Sequence, residues 1–298
     1  MPTDFHSWVG LGEAYTNSGR YIAALKAFRE AERLDDGNWL VKYMIANVNR
    51  ELGEFGEACE DYRHVLTQKP GEFGVLMALS ETLVAMANNH VEKGYYGQAT
   101  EAAVEALEVS REISSSRADT FNLWKNVADA CLLFSWIQGF SAEVPLELVK
   151  ELISLDIDRK ELNVMSDLDG VGSSTLDLLT KEEPLLACIY LGILACKRAI
   201  YVSAADRHAH AVAWFNLGCA EFRAYGCLPA KKAEHHMSAI RCFKRAIKVE
   251  PGNQEFWNAL GVASAEVSPR AAQHALVRSL YINDKVSGLL LYVASSVC

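Results

Sequence analysis

Residues 5–38 read FHSWVGLGEAYTNSGRYIAALKAFREAERLDDGN, and this stretch decides the fold. With Phe5 as position 1, large residues fall at position 4 (Trp8), 7 (Leu11), 11 (Tyr15) and 24 (Phe28). Small ones fall at 8 (Gly12), 20 (Ala24) and 27 (Ala31), with Gly19-Arg20-Tyr21 between the two halves. The apolar spacing predicts two helices joined by a tight reversal, for which Gly19 supplies the conformational freedom. Small residues let two helix axes approach closely, and the large ones fill the grooves between them. Neither helix is long enough to be stable alone in water, so the pair must stack on neighbours.

The pattern recurs. A second unit starts at Trp39, with Ile45, Ala46, Gly53, Phe55, Ala58, Tyr62, Val65 and Pro70 at the matching places. A third starts at Phe73 with Leu76, Leu79 and Ser80, but its turn, Gly94-Tyr95-Tyr96, comes seven residues late. One or both of its helices are therefore expected to be lengthened by about two turns. Trp124, Val127, Ala128 and Cys131 mark a fourth first helix, whose expected partner is residues 184–203. Trp214, Leu217 and Gly218, then Ala239, Phe243, Ala246 and Pro251, form a fifth unit. Trp257, Leu260 and Gly261, then Ala272, Leu276 and Ser279, form a sixth. The period and residue types resemble tetratricopeptide repeats, the signature of a solenoid.

The expected fold is an all-α, right-handed tetratricopeptide-repeat α-solenoid of about six helix pairs, broken by one non-repeat acidic insertion. The expected divisions are repeats over 1–139, the insertion over 140–183, repeats over 184–286, and an apolar tail over 287–298. A solenoid usually ends in a polar cap, and this tail is uncharged, so it is expected to be foreign to the array or the mark of a truncated product. A half-repeat remains open, because Leu290, Val293 and Ala294 fall at positions 4, 7 and 8.

Composition narrows the function. The 298 residues are half hydrophobic, with 29 Lys and Arg against 38 Asp and Glu, a net charge of −9. That balance argues against a protein that coats nucleic acid. The first residues show no basic, apolar leader, and the apolar runs at 185–196 and 289–293 are short for a bilayer crossing. Eight scattered cysteines with no C-x-x-C suit a reduced compartment, cytoplasmic with a nuclear location left open. Gly170-Val-Gly172 follows no strand, Asp167-x-Asp169-Gly170 lacks later calcium ligands, and the His208/His210 and His235/His236 pairs have no cysteine spacing beside them. No catalytic constellation can be assembled, and no metal or cofactor is expected.

The order of irregularities is more specific than the repeat. A near-ideal first unit, a regular second, a lengthened third, the Trp124–Cys131 helix before a long insertion, then Trp214-Phe-Asn-Leu-Gly218 and Trp257-Asn-Ala-Leu-Gly261 resemble the fungal scaffold subunit of the superkiller complex. The resemblance covers residues 4 to about 285. It implies a non-enzymatic scaffold that organises an RNA helicase and β-propeller subunits. That assembly feeds RNA to the cytoplasmic exosome for 3′-to-5′ mRNA decay. A generic tetratricopeptide adaptor or co-chaperone is the alternative. Carboxylate-gripping repeats use a Lys and an Asn one turn apart, and here the matching pairs are Val9/Glu13 and Tyr43/Asn47.

Three surfaces are candidates. Tyr43, Asn47 and Arg50 are expected to line the inner groove and contact a partner. The segment 140–184 has 11 acidic residues against 4 basic ones, among them Asp156, Asp158 and Asp169. Its span 144–155 has helical spacing, and its Gly/Ser-rich middle, 167–175, is expected to be mobile. A solvated loop or a dock for a basic surface would each explain it. The reverse holds over 223–248, with seven Lys or Arg against Glu234 alone. There Lys231, Lys232, Arg241, Lys244, Arg245 and Lys248 form a basic patch. It is either a solvated face or a contact for RNA phosphates, an acidic partner or the acidic insertion.

Overall fold

The computed structural model describes residues 4–155 and 161–282. It divides into two compact units, Met1–Ala118 and Asp119–Cys298. The described residues are helical throughout, without a strand. The apolar tail at 287–298 lies outside the described residues, as do Asp156 and Asp158 of the acidic segment.

In the first unit, α1 (Phe5–Asn17) packs on α2 (Tyr21–Leu34), α3 (Trp39–Leu52) on α4 (Phe55–Gln68), and α5 (Phe73–Glu92) on α6 (Tyr96–Ser116). The lengthening of the third pair is shared, since α5 has 20 residues and α6 has 21 where the earlier helices have 13 or 14. Gly19, Gly53 and Gly94 all take positive φ, 71°, 83° and 79°, at the three reversals. Asp4 and Asn38 cap first helices by accepting from the backbone N–H of Ser7 and Leu40. Ala24, Phe28, Ala31, Val41, Ile45 and Val48 form a shared core between the first two pairs.

In the second unit, α7 (Phe121–Trp136) packs on α11 (Pro184–Val202), across the intervening segment. Then α12 (Arg207–Cys227) packs on α13 (Lys232–Val249), and α14 (Gln254–Ser264) on α15 (Pro269–Ile282). One contact repeats down the chain. A Cβ on Gly12 would fall 2.4 Å from Phe28, one on Gly218 2.6 Å from Phe243, and one on Gly261 2.7 Å from Leu276. In these three repeats a large residue of the second helix presses on the glycine of the first, where the second, third and fourth units carry the small residues Ala46, Ser80 and Ala128.

The segment between α7 and α11 folds inward. It holds α8 (Leu146–Ser154), α9 (Ser166–Asp169) and α10 (Ser173–Leu178), and Val149, Leu152 and Ile153 are fully buried against α11. The stretch 167–175, read from its Gly and Ser content as a mobile loop, is packed against the unit, with Asp169 and Val171 buried. Asp169 is wholly buried beside Lys197 of α11, and its Oδ1 accepts from the backbone N–H of Val171. The segment is therefore packed cover for α11, with its exposed acidic residues on the outer surface.

This cover answers a second expectation. As a helix of 19 residues, α11 is long and apolar enough to cross a bilayer, beyond what the run at 185–196 suggested. It is instead the buried helix of a packed unit and carries two interior charges. Lys197 pairs with Asp169 and donates to the carbonyl of Val171. The Arg198 guanidinium donates to the Leu152 and Ile153 carbonyls at the end of α8 and lies 3.9 Å from the Trp124 ring centroid.

Candidate functional site

Tyr43, Asn47 and Arg50 stand about one turn apart on α3 and line one open groove of about 580 Å³ in the first unit. Thr16 and Tyr21 border it on one side, and Met77 and Glu81 of α5 on the other. Asn47 and Arg50 are both held by neighbours. The Tyr62 hydroxyl, buried under α3, donates to Asn47 Oδ1 at 2.7 Å, which leaves the Asn47 amide N–H groups for the groove. Burial pushes the Tyr62 hydroxyl well above its ordinary pKa, so it remains a donor. Arg50 lies between two carboxylates, 3.4 Å from Glu81 and 3.3 Å from Glu51.

A smaller recess adjoins, lined by Glu13, Asn17, Met44 and Asn47 among others. Glu13, Asn47 and Glu81 all occupy position 9 of their repeats. The sequence reading named Asn47 and missed Glu81 as a groove residue. Reading down position 9 of the aligned units would have found it.

The basic patch divides. Arg241, Lys244, Arg245 and Lys248 are exposed on one face of α13, while Lys232 lies about half a turn round the helix. Lys232 sits over the Tyr225 ring at 4.8 Å, and Arg245 over the Trp214 ring at 4.4 Å. The side chain of Lys231 lies outside the described residues. Arg241, Lys244 and Lys248 make no ion pair to a described residue of the acidic segment. Between the α12–α13 pair and α9 lies a buried polar cluster. His235 is 2.7 Å from Glu221, and both sit near the Asp169–Lys197 pair. Among the described residues no group of His, Cys, Asp and Glu could hold a metal ion.

The paired helices, the glycine turns and the position-8 contacts describe one repeat used again and again. The tetratricopeptide repeat family model matches residues 6–73 and 230–266. Superkiller protein 3 of Schizosaccharomyces pombe is 32% identical over 277 residues, 92% of this chain. The chain is all-helical and built of paired helices, similar over those two stretches to tetratricopeptide repeats and along nearly its whole length to superkiller protein 3. The Saccharomyces cerevisiae protein of that name is 26% identical over 294 residues, 96% of this chain, and human superkiller complex protein 3 is 26% identical over 269, or 88%. The chain spans about a fifth of the length of either yeast relative, and 15% of the human one. Among solved structures, a thermophilic tetratricopeptide protein of Thermus thermophilus aligns with 87% of this chain and 98% of its own, with a TM-score of 0.48 and 16% identity.

Proposed function

We propose that this chain is a non-catalytic scaffold segment that holds protein partners in a superkiller assembly. The partners would be an RNA helicase and β-propeller subunits, and the assembly would deliver RNA to the exosome for 3′–5′ mRNA decay in the cytoplasm. The likeness to superkiller protein 3 over nearly the whole chain supports that setting. The observation that carries the binding role is the groove, where Tyr43, Asn47 and Arg50 converge with Glu81 on an open, polar and partly apolar surface. The free face of Arg241, Lys244 and Lys248 is a second contact in this reading, for an acidic partner surface, with RNA phosphates a minor one.

The test is capture of the tagged chain from extract, beside a variant carrying Tyr43→Ala, Asn47→Ala and Arg50→Ala. Recovery of an RNA helicase together with a β-propeller protein, lost or weakened in the variant, supports the reading. Recovery of chaperones alone would favour the co-chaperone alternative and overturn it.

A further inference from the structure

The groove's charge points to what it takes. Glu13, Glu51 and Glu81 line the two adjoining recesses, and Arg50 is the single cation among the lining residues. We propose that the groove receives an extended segment of a partner chain bearing lysine or arginine, whose cation displaces Arg50 from Glu81. This rests on the reading of the groove as a partner-binding surface.

Four features argue for it. Glu13 and Glu81 sit at the same repeat position on either side of Asn47, so an incoming cation meets a carboxylate whichever way it turns along the groove. The Asn47 amide, fixed through its oxygen by Tyr62, offers N–H donors to a backbone carbonyl of such a segment. Tyr43 and Met77 supply an aromatic face and an apolar wall for the aliphatic stem of Lys or Arg. Arg50 reaches its two carboxylates at 3.3 and 3.4 Å, longer than a tight charge-assisted bond, and its side chain is 28% exposed. It is an internal occupant that a ligand cation can replace. An anionic ligand would find one cation already engaged and three carboxylates against it.

The experiment is random 12-residue peptide display on the full chain, with the Tyr43→Ala/Asn47→Ala variant screened in parallel. Circular dichroism and thermal melting establish that every variant is folded. Peptides captured by the wild type and lost by the variant should be enriched in Lys and Arg. A synthetic copy of the leading peptide should bind roughly threefold to fivefold more weakly to Glu81→Gln and to Glu13→Gln. It should bind more tightly to Arg50→Gln, because the internal competitor is gone, and more weakly as salt rises. Groove-dependent peptides that are acidic or neutral, and that lose affinity in Arg50→Gln, would overturn this inference and leave the partner-binding groove standing. If no captured peptide depends on Tyr43 and Asn47, both readings fail.

Discussion

Asp169 and Lys197 meet at 2.7 Å with neither side chain exposed to solvent, and they join the acidic segment to the middle of α11. Twenty-eight residues apart in sequence, they hold together two parts of the second unit that composition alone would have kept separate. Taking two charges out of water is expensive, and the pair is tolerable because each neutralises the other and Lys197 also donates to Val171. Removing one partner strands the other. Asp169→Ala or Lys197→Met should each destabilise the second unit by about 3–5 kcal/mol, and the double variant should cost less than the sum. Urea unfolding followed by tryptophan fluorescence measures the cycle, and strict additivity would show that the two do not act as a pair.

The same cluster sets a pH dependence. Burial, with the Asp169 carboxylate beside it, holds the Glu221 carboxyl well above the usual carboxylate range. An acid raised on folding keeps its proton in the native chain while the unfolded chain releases it. Its contribution is therefore present in mildly acid solution and lost as pH rises through the raised value, with a slope of at most one proton. Glu221→Gln should flatten the fall in urea midpoint between acid and neutral pH. A midpoint that changes with pH identically in both proteins would remove Glu221 as the cause.

Gly218 tests the close contact that repeats along the chain. Alanine is the better helix former by about 1 kcal/mol, so on propensity alone Gly218→Ala would stabilise α12. Its Cβ would lie 2.6 Å from Phe243, and the net effect should be a loss of about 1–3 kcal/mol. Phe243→Leu in the same chain should recover part of that loss. Thermal melting of the two single variants and the pair decides it.

Two thiols give a check on packing that needs no substitution. Burial pushes Cys59 up to about 11 and Cys188 up to about 12. At pH 8 roughly one Cys59 thiol in a thousand is ionised, and alkylation requires the thiolate. Iodoacetamide at pH 8 should leave both unlabelled in the native chain and label both in urea, as read by peptide mass spectrometry. Rapid native labelling at Cys188 would mean that the cover over α11 opens readily.

The repeats were legible because their signal is local and periodic. Trp8, Gly12, Ala24 and Phe28 sit at fixed spacings, and the physics of two packed helices explains each one. The pairing of α7 with α11 was also readable, since both carry helical patterns that lack another partner. The inward fold of the acidic segment was not readable. Asp169 lies in a short Gly- and Ser-rich run that looks solvated, and charged residues are rarely buried without a partner. That partner, Lys197, hides inside an apolar run where a lone lysine gives no periodic mark. The groove was half legible. Tyr43, Asn47 and Arg50 follow from helix spacing on α3, whereas Glu81 enters only once α5 is laid beside it. The basic patch shows the opposite error, for counting charges along α13 put Lys232 with residues that lie on another side of the helix.

Chain order adds a consequence of the cover over α11. During synthesis the acidic segment leaves the ribosome before α11 does, so Asp169 and the apolar face of α8 precede the helix they will shield. Part of the cover of this 19-residue apolar helix, α7 and the acidic segment, is thus already synthesised when α11 emerges, and the rest is supplied by α12, which follows. Moved downstream of α11, the same cover would be made only after the helix it shields.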